Sequence, residues 1–160
     1  MEIALVSDTH GDEANIETAV DALKPRDLEF IIHAGDVTGL VHMEPFFECG
    51  VDVHLVIGNG DQNLGEYEQA DPPGELVIHG TAGRLDVRGN TFCITHGHYD
   101  SFRRRLLKEN PDYLVLGHTH EQRDEVRGGT RIINPGSVTS PAQSTAILNP
   151  LRDELEFIEW

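Results

Sequence analysis

Lysine is nearly absent from this 160-residue chain. Only Lys24 and Lys108 occur, and 12 basic residues stand against 28 acidic ones, a net charge of −16. Nucleic acid is held by Lys and Arg that neutralise its phosphates, so this balance disfavours a nucleic-acid partner. Cysteine is scarce too. Cys49 and Cys93 lack the spacing of a thiolate metal site, and Cys93 lies in the apolar run TFCIT, where a buried small hydrophobe belongs. No apolar run has the length of a membrane span, which argues against a membrane partner. The opening MEIALVSDTH lacks the basic region and cleavage site of a signal peptide, so a cytoplasmic location is expected. What remains, 38% hydrophobic and 6% aromatic, suits one globular domain over residues 1–160. The scattered acids would suit a salty cytoplasm, where their repulsion is screened.

Hydrophobic patterning alternates strand with helix. IALV (3–6), FIIHA (30–34) and VHLVI (53–57) read as strands. Between the first two, residues 14–24 read as a helix with Ile16, Ala19, Val20 and Leu23 on one face, ended by Pro25. Residues 40–49 suggest a second helix whose start Pro45 blurs, and 63–75 read as a loop punctuated by Pro72, Pro73 and Gly74. Further on, LDVR and TFCIT flank a Gly89-Asn90 turn, and RDEVR and RIIN flank Gly128-Gly129. TAILN and ELEFIEW form a third hairpin around Asn149-Pro150. Residues 101–110 read as a helix capped by Ser101, and 113–117 as another strand. The pattern predicts an α/β domain with two packed sheets.

Chemistry gathers where strands end. IALV runs into Asp8 and His10, FIIHA into Gly35-Asp36, and VHLVI into Gly58-Asn59-Gly60-Asp61. TFCIT runs into His96-Gly97-His98, and YLVL into Gly117-His118-Thr119-His120. On an extended chain His118 and His120 would face the same way. Ligands of α/β sheets bind in the crevice beyond the carboxyl ends of strands, so these endings can share one site.

The donors Asp8, His10, Asp36, Asn59, His96, His118 and His120 are all oxygen or nitrogen. They suit Mn²⁺ foremost, then Ni²⁺, Fe²⁺, Zn²⁺ or Co²⁺, with Mg²⁺ last because it prefers oxygen. Seven donors exceed the needs of one ion with an open position and suit two ions sharing a carboxylate. Two divalent cations, two carboxylates and a bridging hydroxide sum to about +1, which attracts an anion. Two ions roughly 3.5–4 Å apart can support in-line attack at phosphorus.

These blocks, D-x-H at 8–10, GD at 35–36, GN at 58–59, HGH at 96–98 and GHTH at 117–120, resemble the calcineurin-like metallophosphoesterase family, in its order and over nearly the whole chain. With INPGS at 133–137, the chain looks most like the small single-domain phosphodiesterases of bacteria and archaea. The resemblance implies a four-layer αββα sandwich with two mixed β-sheets flanked by helices. It implies a dinuclear phosphodiesterase acting on a small phosphate-ester substrate with a metal-bridging hydroxide. Asp8, His10 and His120 would hold one ion, Asn59, His96 and His118 the other, and Asp36 would bridge. Homo-oligomerisation stays open.

One departure concerns mechanism. Many relatives carry a histidine after GN that serves the transition state or leaving group, and here Gly60 stands in its place. Candidates for work at the substrate are therefore Asn59, His98 and Asp61. His98 could contact phosphate or support the site by a hydrogen bond, and Asp61 could act in the site or brace its turn. His33, His42, His54 and His79 read as structural or surface residues. Arg103, Arg104 and Arg105 read as a solvated helix face. Asn134, Pro135, Gly136 and Ser137 are expected to shape a loop under the site. The competing function is a protein-binding scaffold on the same fold, which Gly60 favours and the complete donor set opposes. A nuclease ranks last for want of a basic groove.

Overall fold

The computed structural model describes residues 1–65, 74–139 and 141–160. Part of the loop expected at 63–75 lies outside the described residues. Strands β1 (Glu2–Val6), β2 (Leu28–His33), β3 (Asp52–Leu55) and β4 (Leu76–Ile78) run parallel in one sheet, beside the antiparallel pair β10 (Ser144–Asn149) and β11 (Glu154–Glu159). Its order is β11-β10-β1-β2-β3-β4. The second sheet, β5-β6-β7-β9-β8, comprises β5 (Ala82–Val87), β6 (Asn90–Thr95), β7 (Tyr113–Val115), β8 (Gln122–Arg127) and β9 (Thr130–Pro135). There β6, β7 and β9 are parallel and the outer strands antiparallel.

Strands buried on both faces read as continuous apolar runs because alternate residues serve different layers. Ala4, Val6 and Ile31 face the core beneath helix α1 (Glu13–Leu23), whereas Ile3, Leu5 and Ile32 meet Phe92, Ile94 and Val115 between the sheets. Cys93, Leu114 and Ile132 pack with Leu106 of helix α2 (Asp100–Leu107) on the far face. Helix, two mixed sheets and helix thus form the four-layer sandwich. Among the described residues no helix is long and apolar enough to cross a membrane.

Local chemistry moves several boundaries. Asp12 caps α1, which buries Ile16, Ala19, Val20 and Leu23 as its period requires. Residues Leu40–Cys49 form a 3₁₀ helix because Pro45, lacking an N–H, interrupts α-helical bonding; Met43, Phe46 and Phe47 still reach the core. Ser101 does not cap α2. Tyr99 holds the cap position without a side-chain bond, and Asp100 in the first turn pairs with Arg103 and Arg104. The first hairpin turns at Arg88-Gly89, one residue before the expected pair, with φ of 51° and 89° that suit a type I′ turn. β4 has three residues and no period to announce it.

Candidate metal centre

The parallel strands β1, β2 and β3 of one sheet and β6 and β7 of the other deliver their polar endings to one place. Asp8, Asp36 and His96 are buried, His120 is partly exposed, and His10 and His118 are exposed. Two compact groups form: Asp8 with His10 and His120, and Asp8 with Asp36 and His96.

Each carboxylate is gripped by one oxygen and presents the other. Asp8 Oδ2 accepts from Ser7 Oγ at 2.5 Å and from the His118 amide at 3.0 Å. Asp36 Oδ1 accepts from the Gly60 amide at 2.7 Å. The remaining oxygens meet imidazoles. Asp8 Oδ1 lies 3.1 Å from His120 Nε2, 3.8 Å from His10 Nε2 and 3.9 Å from His96 Nε2. Asp36 Oδ2 lies 3.6 Å from His10 Nε2 and 3.4 Å from His96 Nε2. His96 donates from Nδ1 to the Ala34 carbonyl at 2.7 Å, which leaves Nε2 directed at Asp36 and at Asn59 Oδ1, 3.1 Å away.

This arrangement fits divalent cations. Asp8 Oδ1 is buried and has no hydrogen-bond partner among the described residues. His10 and His120 turn their Nε2 atoms to each other at 3.4 Å. Lone pairs converging in this way call for positive charge between them. Burial works to raise the Asp36 pKa, but bonds from His96 and the Gly60 amide outweigh it and hold the carboxyl at about 2. For His96, burial lowers the pKa, yet the Asp36 and Asp8 carboxylates more than offset it. The carboxylates that favour a proton on that nitrogen favour a metal ion there equally.

The backbone is bent to bring this about. Asp8, His10, Asp36, His118 and His120 all have left-handed φ, between 44° and 71°. Such conformations cost on the order of 1 kcal/mol each and collect at functional sites. His118 and His120 therefore do not share a face of an extended chain. β7 ends at Val115, and the two rings diverge: His118 approaches His96 with ring centroids 5.2 Å apart, and His120 approaches His10 at 5.4 Å. The glycines before the donors allow close approach. A Cβ at Gly58 would stand 2.1 Å from Asp36 Oδ1, and one at Gly117 2.0 Å from Ser7 Oγ.

The neighbouring candidates separate by geometry. Asp61 is buried and spends both oxygens on backbone: Oδ2 accepts from Asp36 and Gly58 amides and Oδ1 from Thr38, each at 2.8 Å. That geometry favours the bracing alternative over work at the substrate. His98 lies 6.2 Å from His118 by ring centroids, and its buried Nδ1 has no partner among the described residues. Burial, then His96 and His118, lower its pKa. Asn134 and Pro135 belong to the end of β9 and not to a loop, because both pair with β8; Asn134 nonetheless donates to the Gly117 carbonyl, and Ser137 Oγ, just past the strand, donates to the Asp8 carbonyl. Ser7 was not singled out by sequence, although its place directly before Asp8 is the signal. His33 is fully buried; the Gly35 amide donates to Nδ1, which puts the ring proton on Nε2, facing Thr9 Oγ1.

Residues 1–151 match the model of the calcineurin-like phosphoesterase superfamily domain. The chain belongs to that superfamily. Within it, the chain is 30% identical over 139 residues to the phosphodiesterase MJ0936 of Methanocaldococcus jannaschii, covering 85% of this chain and 83% of that protein. A solved structure described as a novel archaeal phosphodiesterase superposes with a TM-score of 0.84 at 26% identity, covering 100% of both chains. Wild-type Vps29 of Entamoeba histolytica, complexed with zinc, shares the fold with a TM-score of 0.71 at 17% identity and 99% coverage of each chain.

Proposed function

We propose that this calcineurin-like chain is a cytoplasmic phosphodiesterase that uses two divalent ions, manganese foremost, to hydrolyse small phosphate diesters. The observation that carries the reading is the unpartnered, buried Asp8 Oδ1 facing three imidazole nitrogens. Asp8, His10 and His120 would hold one ion and Asn59, His96 and His118 the other, with Asp36 within reach of both sets. Divalent ions bound there acidify water and neutralise phosphate oxygens.

The chain's own groups do the rest. Asp36, with its pKa near 2, remains an anion at any working pH. The Ala34 carbonyl fixes the His96 tautomer, so its Nε2 stays available to a cation. Asn59 directs its amide at phosphate oxygens as charge develops on them. His98 stands beyond His118 and donates to the leaving oxygen or its water, in the absence of a histidine at position 60. The names of the archaeal relatives favour diesters over monoesters.

The test is hydrolysis of bis-p-nitrophenyl phosphate by metal-stripped protein with Mn²⁺, Ni²⁺, Zn²⁺ or Mg²⁺ restored. Turnover that depends on a transition metal and disappears in Asp36→Asn is the expected result. Two ions bound per chain with no turnover would turn attention to the scaffold reading.

A further inference from the structure

Beside His120 the surface opens into a groove of about 440 Å³, large enough for one ester arm of a substrate. Its apolar part is Trp160, Pro141 and Ala142, and its polar part includes the carboxylates of Glu121 and Glu159. Trp160 is fixed in orientation: indole Nε1 donates to Asn15 Oδ1 at 3.0 Å, and its amide donates to the Gln143 carbonyl at 3.3 Å. Gln122 donates to Glu159 at 2.7 Å and holds that carboxylate in place. No lysine or arginine lines the groove among the described residues.

We infer that this groove receives one arm of the phosphodiester, and that the arm it selects is a neutral alcohol of nucleoside type, with a flat face and hydroxyl or N–H donors, in preference to one bearing a further phosphate. The inference rests on the phosphodiesterase reading above and names its substrate class. A fixed indole and a proline ring offer flat apolar surface for a base or sugar. Carboxylates accept hydrogen bonds and offer none, so they match donors on the arm. A second phosphate would enter a groove carrying two like charges without a cation to offset them. His120 lines the groove and also belongs to the donor cluster with Asp8 and His10, so an arm lying there can keep its phosphorus near the donors. The same charges exclude a longer nucleic-acid strand from this side of the site.

The test compares three p-nitrophenyl diesters under identical metal and salt: the methyl ester, the thymidine 5′-phosphate ester, and the same thymidine ester with a 3′-phosphate. Ala142→Trp, at an exposed position, fills the groove without disturbing the core. It is expected to raise KM for the thymidine ester roughly tenfold, the scale of one lost base stack, and to leave the methyl ester within about twofold. Trp160→Ala should act in the same direction. Glu121→Gln with Glu159→Gln should raise kcat/KM several-fold for the 3′-phosphorylated ester alone. Equal effects of Ala142→Trp on methyl and thymidine esters, or no effect on either, would overturn the groove as the arm's site. A 3′-phosphorylated ester turned over by wild type as well as the plain one would overturn the charge selection. Wild type inert towards all three with every metal refutes the diesterase reading instead, and this one with it.

Discussion

The Asp61 carboxylate accepts a hydrogen bond from the backbone nitrogen of Asp36 at 2.8 Å, so one acid holds another in its left-handed conformation. The same carboxylate ties Gly58 and Thr38 and thereby joins the loops after β2 and β3. By position it resembles a catalytic group; by contact it is a brace.

Asp61→Ala leaves three amide donors without their partner. With hydrogen bonds to charged groups worth about 1.5–3 kcal/mol each, the loss should total on the order of 4 kcal/mol after partial rehydration. Urea unfolding of the metal-free protein measures it. Asp61→Asn should fall between the two, with the pH dependence of turnover unchanged. A displaced acid limb in that variant would instead give Asp61 a role in proton transfer.

Asp8→Asn separates folding from metal binding. It removes a buried charge that has no hydrogen-bond partner on one oxygen, so the metal-free variant should match or exceed wild type by about 1 kcal/mol. If Mn²⁺ binds at this centre it should raise the melting temperature of wild type, and Asp8→Asn should lose that rise. Thermal unfolding with and without Mn²⁺ reads both. A variant still stabilised by Mn²⁺ as strongly as wild type would remove Asp8 from the metal centre.

His33 gives the fold an acid-side dependence. Full burial, then the His96 charge, lower its pKa to about 3 from the ordinary 6.5. The unfolded chain therefore binds more protons than the folded one between these values. The neutral ring's contribution is complete above about pH 6.5 and is lost as pH falls towards 3. Between pH 6.5 and 5 the cost should be about 2 kcal/mol from this residue. Urea unfolding across that range should show a shallower slope in His33→Gln than in wild type. An unchanged slope would assign the effect to other groups.

Gly60→His restores the imidazole that many relatives have. Gly60 does not adopt a left-handed φ, and a Cβ there would lie 3.2 Å from Asp36 Oδ1, so the carboxylate need yield only slightly. The variant should gain on diesters with alkoxide leaving groups, by roughly 100-fold, the lower end of what general acids contribute, and gain little on p-nitrophenyl esters. A gain of equal size on both ester types would show that proton donation is not what the missing ring supplied.

The gathering of the candidate donors was legible because each follows an apolar run directly, and strands β1, β2, β3, β6 and β7 are fixed by their own burial. Asp61 was ambiguous because its partners are backbone amides of Asp36 and Thr38, which no side-chain pattern announces. His118 and His120 diverge because β7 stops at Val115 and the chain then turns left-handed, a choice made by tertiary contacts such as the bond from the His118 amide to Asp8. β4 escaped notice for a different reason: three residues at a sheet edge carry too little pattern to distinguish strand from loop.

The donors are divided between the sheets. Asp8, His10, Asp36 and Asn59 follow strands of one, and His96, His118 and His120 follow strands of the other. With only the first sheet in place the cluster therefore lacks three of its four imidazoles, and the second sheet alone lacks both carboxylates. The complete cluster exists only once the two sheets have met. An ion held by residues of both sheets would lie across the seam between them and would favour the docked sheets over either sheet alone.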